Sequence, residues 1–197
     1  MSLSKTEIEQ LVEQYIPYLK KKEIELFLNL SQYEVYKNKE IILKCGRLDK
    51  HLFLILKGCS RAYSINENGH ELNCHLRAEG YFFGDARVFE DKPQILNTEA
   101  IGDTHILKFN VEELEALGYK NPKIMLLHIN ILKEIISAFS HRIYTFVYMT
   151  PKERYLDLIK QNPMYLKTTF DKHIASFLGI KPLTLHRIKK EVSRNII

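Results

Sequence analysis

The sequence predicts an α+β protein, with a helical entry, an antiparallel sheet of many short strands and a helical second half. Three observations predict it. Apolar residues recur at helical spacing up to Leu30, alternate with a period of two between Tyr33 and Phe109, and return to a helical period from Asn121 onward. Turn signals punctuate the middle stretch at Lys37-Asn38-Lys39, Cys45-Gly46, Lys57-Gly58, Asn66-Glu67-Asn68-Gly69, Glu79-Gly80 and Gly102-Asp103. The last quarter is basic and carries two short amphipathic segments joined at a glycine.

Taken in order, Ser4 with Glu7 forms a capping-box pattern, and Ile8, Leu11, Val12 and Tyr15 follow on one helical face. Lys21 to Leu30 is a second short helix, apolar at Ile24, Leu26, Phe27 and Leu30. The strand runs are Glu40–Lys44, His51–Lys57, Ser60–Ile65, Glu71–Leu76 and His105–Asn110, with Asn68-Gly69 suited to a hairpin turn. Short strands this closely spaced imply a sandwich or barrel, whose interior is a natural small-ligand site.

Asn121 to Val147 reads as one long helix. Ile129, Leu132, Ile136, Phe139, Ile143 and Phe146 alternate spacings of three and four, which is a two-residue heptad seam and predicts a twin helix from a second subunit. Ile124, Leu127, Ile131 and Ile135 flank that seam and are expected to pack back on the sheet. Thr150-Pro151 breaks the helix, since proline forces its predecessor out of the α region, and marks a hinge. Lys152 to Lys160 is a further helix, ended by Asn162-Pro163. The expected organisation is a sensor roll with flanking helices over 1–118, a dimerisation helix over 119–149 and a DNA-binding unit over 150–197.

Thr169 to Glu191 carries the helix-turn-helix pattern. Ile174, Ala175, Phe177 and Leu178 lie before Gly179; Leu183, Leu185 and Ile188 lie after it, with Pro182 at a first helical position. Ala175, four residues before Gly179, is small enough for a close helix crossing. From Pro151 onward ten Lys/Arg face four Asp/Glu, so this segment carries +6 while residues 1–150 carry −1, against a total of +5. A basic segment with this pattern is an electrostatic footprint for nucleic acid. Solvated lysines on a surface hairpin are the competing explanation.

Composition excludes other classes. No apolar run is long enough to span a membrane, and MSLSKTEIEQ lacks the apolar core of a signal peptide. Three unevenly spaced cysteines, Cys45, Cys59 and Cys74, fit a reducing cytoplasm and are expected to act as small buried hydrophobes. His70 and His75 lie five apart, on opposite faces of a strand, and with Glu79 beside Cys74 do not make the paired-histidine metal site of a cupin; solvated or strand-end positions are expected for them. No catalytic constellation is evident, and no enzyme activity is expected.

This ordered combination resembles the Crp/Fnr family of bacterial transcription regulators over nearly the whole chain. The roll carries the family's glycine pattern at Gly46, Gly58, Gly69, Gly80 and Gly84, including Gly80-Tyr81-Phe82-Phe83-Gly84. Thr150-Pro151-Lys152-Glu153-Arg154-Tyr155 and His173-Ile174-Ala175-Ser176-Phe177-Leu178-Gly179-Ile180 look like the branch common in Bacteroidetes. The resemblance implies a cyclic nucleotide-binding-like double-stranded β-helix (jelly roll), a long dimerisation helix and a winged-helix type of helix-turn-helix. It also implies a homodimer on double-stranded DNA with a palindromic operator, RNA polymerase as partner, and a small-molecule effector.

In cyclic-nucleotide-binding members, Gly-Glu holds the ribose and an Arg-Ser/Thr pair about ten residues later holds the phosphate. Gly84-Asp85 matches the first pair with a shorter acid, but Ile95 and Leu96 stand where the second is expected. Isoleucine does not offset a phosphate charge, so cyclic AMP is not the expected effector; Gly84, Asp85, Ala86, Arg87, Ile95 and Leu96 remain the effector-pocket candidates. Three cysteines, none N-terminal, are too few for the family's iron–sulfur site, and no haem site is evident. For DNA, Lys181, Pro182, Leu183, Thr184, His186 and Arg187 are candidates for the major groove, with Arg187 at the family position of a base-reading arginine. Thr169, Lys172, Lys189 and Lys190 are candidates for phosphates. With Ile197 following so soon, the wing is expected to be truncated. A different class, a ligand-binding module using its helix-turn-helix for protein contacts only, is separated from this one by salt dependence.

Overall fold

The computed structural model describes residues 2–161 and 163–194, and the side chains of all of these except Ala86 and Phe89. Its sheet is built on two long antiparallel strands, β3 (His51–Ile65) and β6 (Asn97–Asn110), paired from His51↔Asn110 to Tyr63↔Asn97. Each half of this ribbon takes different neighbours. At one end β1 (Ser31–Tyr36) lies beside β6 and β5 (Phe82–Phe83) beside β3. At the other end β2 (Ile41–Leu43) lies beside β6 and β4 (Glu71–Ala78) beside β3.

The change of neighbours falls where the ladder is irregular. Gly58 has φ +98° and Gly102 has φ +72°, and the β3–β6 register shifts between Ile55 and Cys59. The two glycines were expected to end strands. They instead lie inside continuous strands, which bend there as bulged strands do. A Cβ on Gly58 would sit 2.7 Å from the Asp103 carbonyl oxygen, so only glycine lets the two backbones close. Asn97–Ile101, which carried no strand expectation, is the first part of β6 for the same reason.

Both faces of the first half of β3 are covered, which is why that strand reads as an unbroken apolar run rather than an alternating one. Leu52, Leu54 and Leu56 join Leu107 and Phe109 beneath α1 (Lys5–Tyr15), α2 (Lys21–Asn29), α3 (Val111–Gly118) and α4 (Pro122–Tyr148), with Val12, Phe27, Leu114, Ile124, Leu127 and Ile131 filling that layer. Phe53 and Ile55 face the other way, into the roll, with Ile42, Phe83, Ala100 and Ile106. The Ser4–Glu7 capping box starts α1 as expected. Asn121 caps α4, with Pro122 in its first turn.

α4 stops at Tyr148, and α5 (Pro151–Gln161) starts at the proline, where Glu153 accepts from the Thr150 N–H and hydroxyl. α6 (Met164–Thr168), α7 (Asp171–Phe177) and α8 (Pro182–Arg194) follow. The α7–α8 turn closes with the Ile180 N–H on the Ala175 carbonyl, 3.0 Å, and Gly179 at φ +67°. The core of these helices is Tyr155, Leu158, Tyr165, Ile174, Ala175, Leu178, Leu185 and Ile188, and it is continuous with Cys59, Leu76, Ala78 and Ile101 of the sheet. The C-terminal helices therefore rest on the β3–β4 end of the roll.

Candidate effector site and nucleic-acid interface

Gly84, Asp85, Arg87, Ile95 and Leu96 come together in the roll, around a cavity of about 170 Å³ closed by Phe82, Phe83, Ile135 and Phe139. The side chain of Ala86 lies outside the described residues. Asp85 caps a single 3₁₀ turn, Ala86–Glu90: one carboxylate oxygen accepts the Arg87 N–H at 2.9 Å and the other accepts the Ile95 N–H at 3.1 Å. Both oxygens are thus engaged by the cavity's own backbone. Ile95 is 55% exposed at the rim, and the cavity's cations are Arg77 and Arg87. The Nε of Arg87 is buried without a hydrogen-bond partner. This is an apolar chamber with two guanidiniums, lacking a free carboxylate at the Asp85 position.

His75 was expected to be solvated or at a strand end. It is instead half-buried in β4, in T-shaped contact with Phe139 of α4 at 4.8 Å, and lines the roll cavity. Burial, with Arg77 and Arg142 nearby, pulls its imidazole down to about 3, so it is neutral. His70 lies in the exposed hairpin turn. Among the described residues no group of three or more His, Cys, Asp or Glu side chains could hold a metal. Cys59 is buried as expected, Cys74 is half-buried, and Cys45 is exposed, because it sits in the turn after β2 rather than in a strand.

On α8, Leu185, Ile188 and Val192 are buried, Pro182, Leu183, His186, Arg187 and Lys190 are exposed and Thr184 is half-buried; Lys181, just before the helix, is also exposed. Lys189 is ion-paired with Asp171 of α7, which reduces its availability to a phosphate. Lys172 is exposed. Thr169 does not belong with these: it is 6% exposed and lies beside the Cys59 thiol under the helices, so it cannot meet a phosphate. Arg194, exposed in the last turn of α8, extends the basic face. The terminal basic residue was legible in the sequence but went unassigned. The expected wing stub falls on residues 195–197, outside the described residues.

Ile129, Ile136, Phe139, Ile143 and Phe146 are all exposed on α4, Ile143 by 65%, and Leu132 is half-buried. Phe146 is also engaged within the chain. Its ring carries the guanidiniums of Arg142 at 4.3 Å and Arg154 at 4.7 Å, and Gly179 sits against it. None of the described helices is long and apolar enough to cross a membrane.

Residues 33–121 match the cyclic nucleotide-binding domain. Most of the chain is also similar in fold to solved structures. FixK2 from Bradyrhizobium japonicum superposes with a TM-score of 0.72 at 16% identity, over 85% of this chain and 86% of that one. A CooA mutant from Carboxydothermus hydrogenoformans gives 0.68 at 16% identity, over 93% and 84%. The c-di-GMP-responsive global regulator CLP of Xanthomonas campestris gives 0.67 at 14% identity, over 89% and 93%. No curated protein matches the sequence.

The roll reaches the C-terminal helices through a buried polar network that no local sequence pattern announces. Arg61, with a side chain only 3% exposed, donates to Glu99 at 2.8 Å and to the Asn73 side-chain oxygen at 2.9 Å, and pairs with Glu71 at 2.7 Å. Asn73 passes the network on: its amide donates to the His173 carbonyl at 3.1 Å, and its backbone N–H donates to the Ser176 hydroxyl at 2.9 Å. That hydroxyl donates to the Glu71 carbonyl, 3.0 Å, and the Tyr165 hydroxyl donates to the Leu76 carbonyl, 2.9 Å. β4 is thus hydrogen-bonded to α6 and α7 through the side chains of Asn73, Tyr165 and Ser176. The signal was a lone arginine inside an apolar strand. Its carboxylate partners lie ten and 38 residues away, beyond any local pattern.

Proposed function

We propose that this protein is a DNA-binding transcription regulator of the Crp/Fnr type, of the branch common in Bacteroidetes. It works as a homodimer on a palindromic operator in the cytoplasm, with RNA polymerase as partner. The observation that carries the reading is α8. One face is buried by Leu185, Ile188 and Val192, and the other offers Lys181, His186, Arg187 and Lys190 to solvent at the end of the fold's basic segment. A helix so placed after a tight turn is built to enter a major groove, with Arg187 suited to the guanine edge and the lysines to phosphates. Two-fold pairing along Ile129, Ile136, Phe139 and Ile143 would place two such helices on successive half-sites.

The roll supports an effector other than cyclic AMP. Asp85 is held by its own backbone neighbours, and Ile95 supplies no charge for a phosphate. Neither cyclic AMP nor cyclic GMP is expected to raise the melting temperature.

The test is fluorescence anisotropy on duplexes selected from a randomised pool. Affinity should fall steeply and linearly on logarithmic axes as salt rises. Arg187→Ala should cost about 1–3 kcal/mol on the selected site and relax preference at one base pair. Absence of retention on duplex DNA at low salt, or binding indifferent to salt, would instead favour a module that uses these helices for protein contacts.

A further inference from the structure

A second and larger cavity, about 350 Å³, lies outside the roll, between β4, α4, α5 and the start of α6. Its walls come from both sides of the Met149–Thr150 link. Its charge balance is unusual. Arg77, Arg142 and Arg154 all line it, and among the described residues none of the three has a carboxylate within ion-pair distance. Charges withdrawn from water are ordinarily paired.

The arginines differ in how much hydrogen-bonding capacity they hold in reserve. Arg142 uses one terminal nitrogen, which donates to the Phe177 carbonyl at 2.5 Å and the Asn73 carbonyl at 3.4 Å. Its Nε and other terminal nitrogen have no hydrogen-bond partner among the described residues, although the guanidinium plane lies over the Phe146 and Phe177 rings. Arg154 donates from Nε to the Leu178 carbonyl at 3.0 Å and from Nη1 to the Met149 carbonyl at 2.9 Å. The Arg77 side chain makes no hydrogen bond within the described residues, and its backbone pairs with Ser60 in the sheet. Guanidiniums present planar donor pairs that match a carboxylate or a phosphate.

The cavity's acids do not fill that role. Asp157 is engaged with His141 at 2.8 Å. Glu134 accepts the Phe82 N–H at 3.3 Å and attracts Arg77 from beyond ion-pair distance, while burial pushes its carboxyl up and weakens its opposition to an entering anion. The remaining wall is apolar or aromatic, including Leu158, Tyr165 and Phe177. A volume of this size is that of a small-molecule site.

We propose that this cavity binds a small organic anion, with an apolar body against Leu158 and Phe177 and a carboxylate or phosphate held by Arg77 and Arg142. It is separate from the roll cavity, although His75 and Arg77 line both. A ligand here would touch the cyclic nucleotide-binding domain through Arg77 and the C-terminal helices through Phe177.

The test uses the full-length isotope-labelled chain and three probes: phenyl phosphate, 3-phenylpropionate and the neutral 3-phenylpropionamide. At least one anion should bind saturably and shift the amides of Arg77, Ser137, His141 and Phe177. The neutral amide should bind at least about tenfold more weakly, the loss of one charge-assisted contact. Arg77→Gln, which removes no internal hydrogen bond, should weaken the anion by a similar factor and leave the spectrum otherwise native. Phosphate and carboxylate sources are told apart by which anion binds more tightly. Failure of both anions to bind, equal affinity for the neutral amide, or shifts confined to Phe83–Leu96 in the roll would each overturn the proposal. None of these readouts involves DNA, so they stand or fall apart from the DNA-binding role.

Discussion

Replacing Arg61 by methionine tests how the roll is fastened to the helices that follow it. The arginine side chain is 3% exposed and Glu99 is 10% exposed, with 2.8 Å between the nitrogen and oxygen. Removing the cation leaves the Glu99 carboxylate buried with no counter-charge. Breaking a buried pair from one side costs about 3–5 kcal/mol. The Glu71 arm adds little, since that carboxylate is 41% exposed and such pairs contribute about 0–1 kcal/mol. The cation over the Tyr63 ring at 4.0 Å is a further small loss. The expected destabilisation is therefore about 3–5 kcal/mol, dominated by one stranded charge.

The assay is urea unfolding followed by circular dichroism, which suits a chain without tryptophan. Arg61→Met with Glu99→Met should recover most of the loss, because an apolar pair replaces the ionic one, and the cycle should show at least about 2 kcal/mol of coupling. Amides at Ser176 and Phe177 should exchange faster in the single variant, since Asn73 loses its anchor. A single-variant cost below about 1 kcal/mol, or additive costs in the cycle, would refute the view that this is a coupled buried network.

Three other outcomes follow from the geometry. Phe139→Glu should convert a dimer to monomers in sedimentation, weakening association by about 2 kcal/mol or more, whereas an unchanged dimer would place the interface elsewhere. Gly179→Ala should lose about 1–3 kcal/mol in thermal or urea unfolding, because φ is +67° and the new Cβ would lie 2.8 Å from the Phe146 ring; a neutral result would show that the turn relaxes freely. Acid should destabilise the fold through two histidines: burial holds His173 at about 4 and His75 at about 3, so the unfolded chain binds their protons first. Stability from these groups is whole above the ordinary value near 6.5 and declines as pH falls toward about 4 and then 3, at no more than about 1.4 kcal/mol per unit for each, and His173→Gln should flatten the upper part of that decline.

How much of this was legible in the sequence depends on how local each cause is. The Ser4–Glu7 box, the Thr150-Pro151 break and the Gly179 turn each rest on residues within four positions of one another, and their local geometry follows the local reading. The heptad spacing on α4 also correctly separated Ile136 and Ile143, which are exposed, from Ile124 and Ile131, which are buried. Gly58 and Gly102 misled because a glycine marks a positive φ without saying whether the chain turns back or bulges onward. Only the partner strand decides, and here each bulge lies near the other across the ribbon. Thr169 misled for a similar reason. Its place before the first helix of the motif suggested a phosphate contact, but that segment docks onto the roll, and Cys59 occupies the side that solvent was expected to take.

The contacts that join the two halves rest largely on residues with no local pattern of their own in the sequence. β4 has polar side chains at Asn73, His75 and Arg77, which are one face of a strand by spacing and invite a solvent-facing reading. The strand does not keep that spacing: its register with β3 shifts between Ala62 and Tyr63, so Asn73 shares the face of Leu76 while His75 and Arg77 take the other, and both faces are covered. Asn73 bonds to α7, His75 packs on Phe139 of α4, and Arg77 lines both cavities. One strand thus touches the roll interior, the exposed α4 face and the C-terminal helices within five residues. A displacement of β4 would disturb the Asn73–His173 and Tyr165–Leu76 bonds along with the roll, since all of them rest on the same backbone. β4 is therefore a direct mechanical link between the roll and the C-terminal helices, beside the α4–α5 connection.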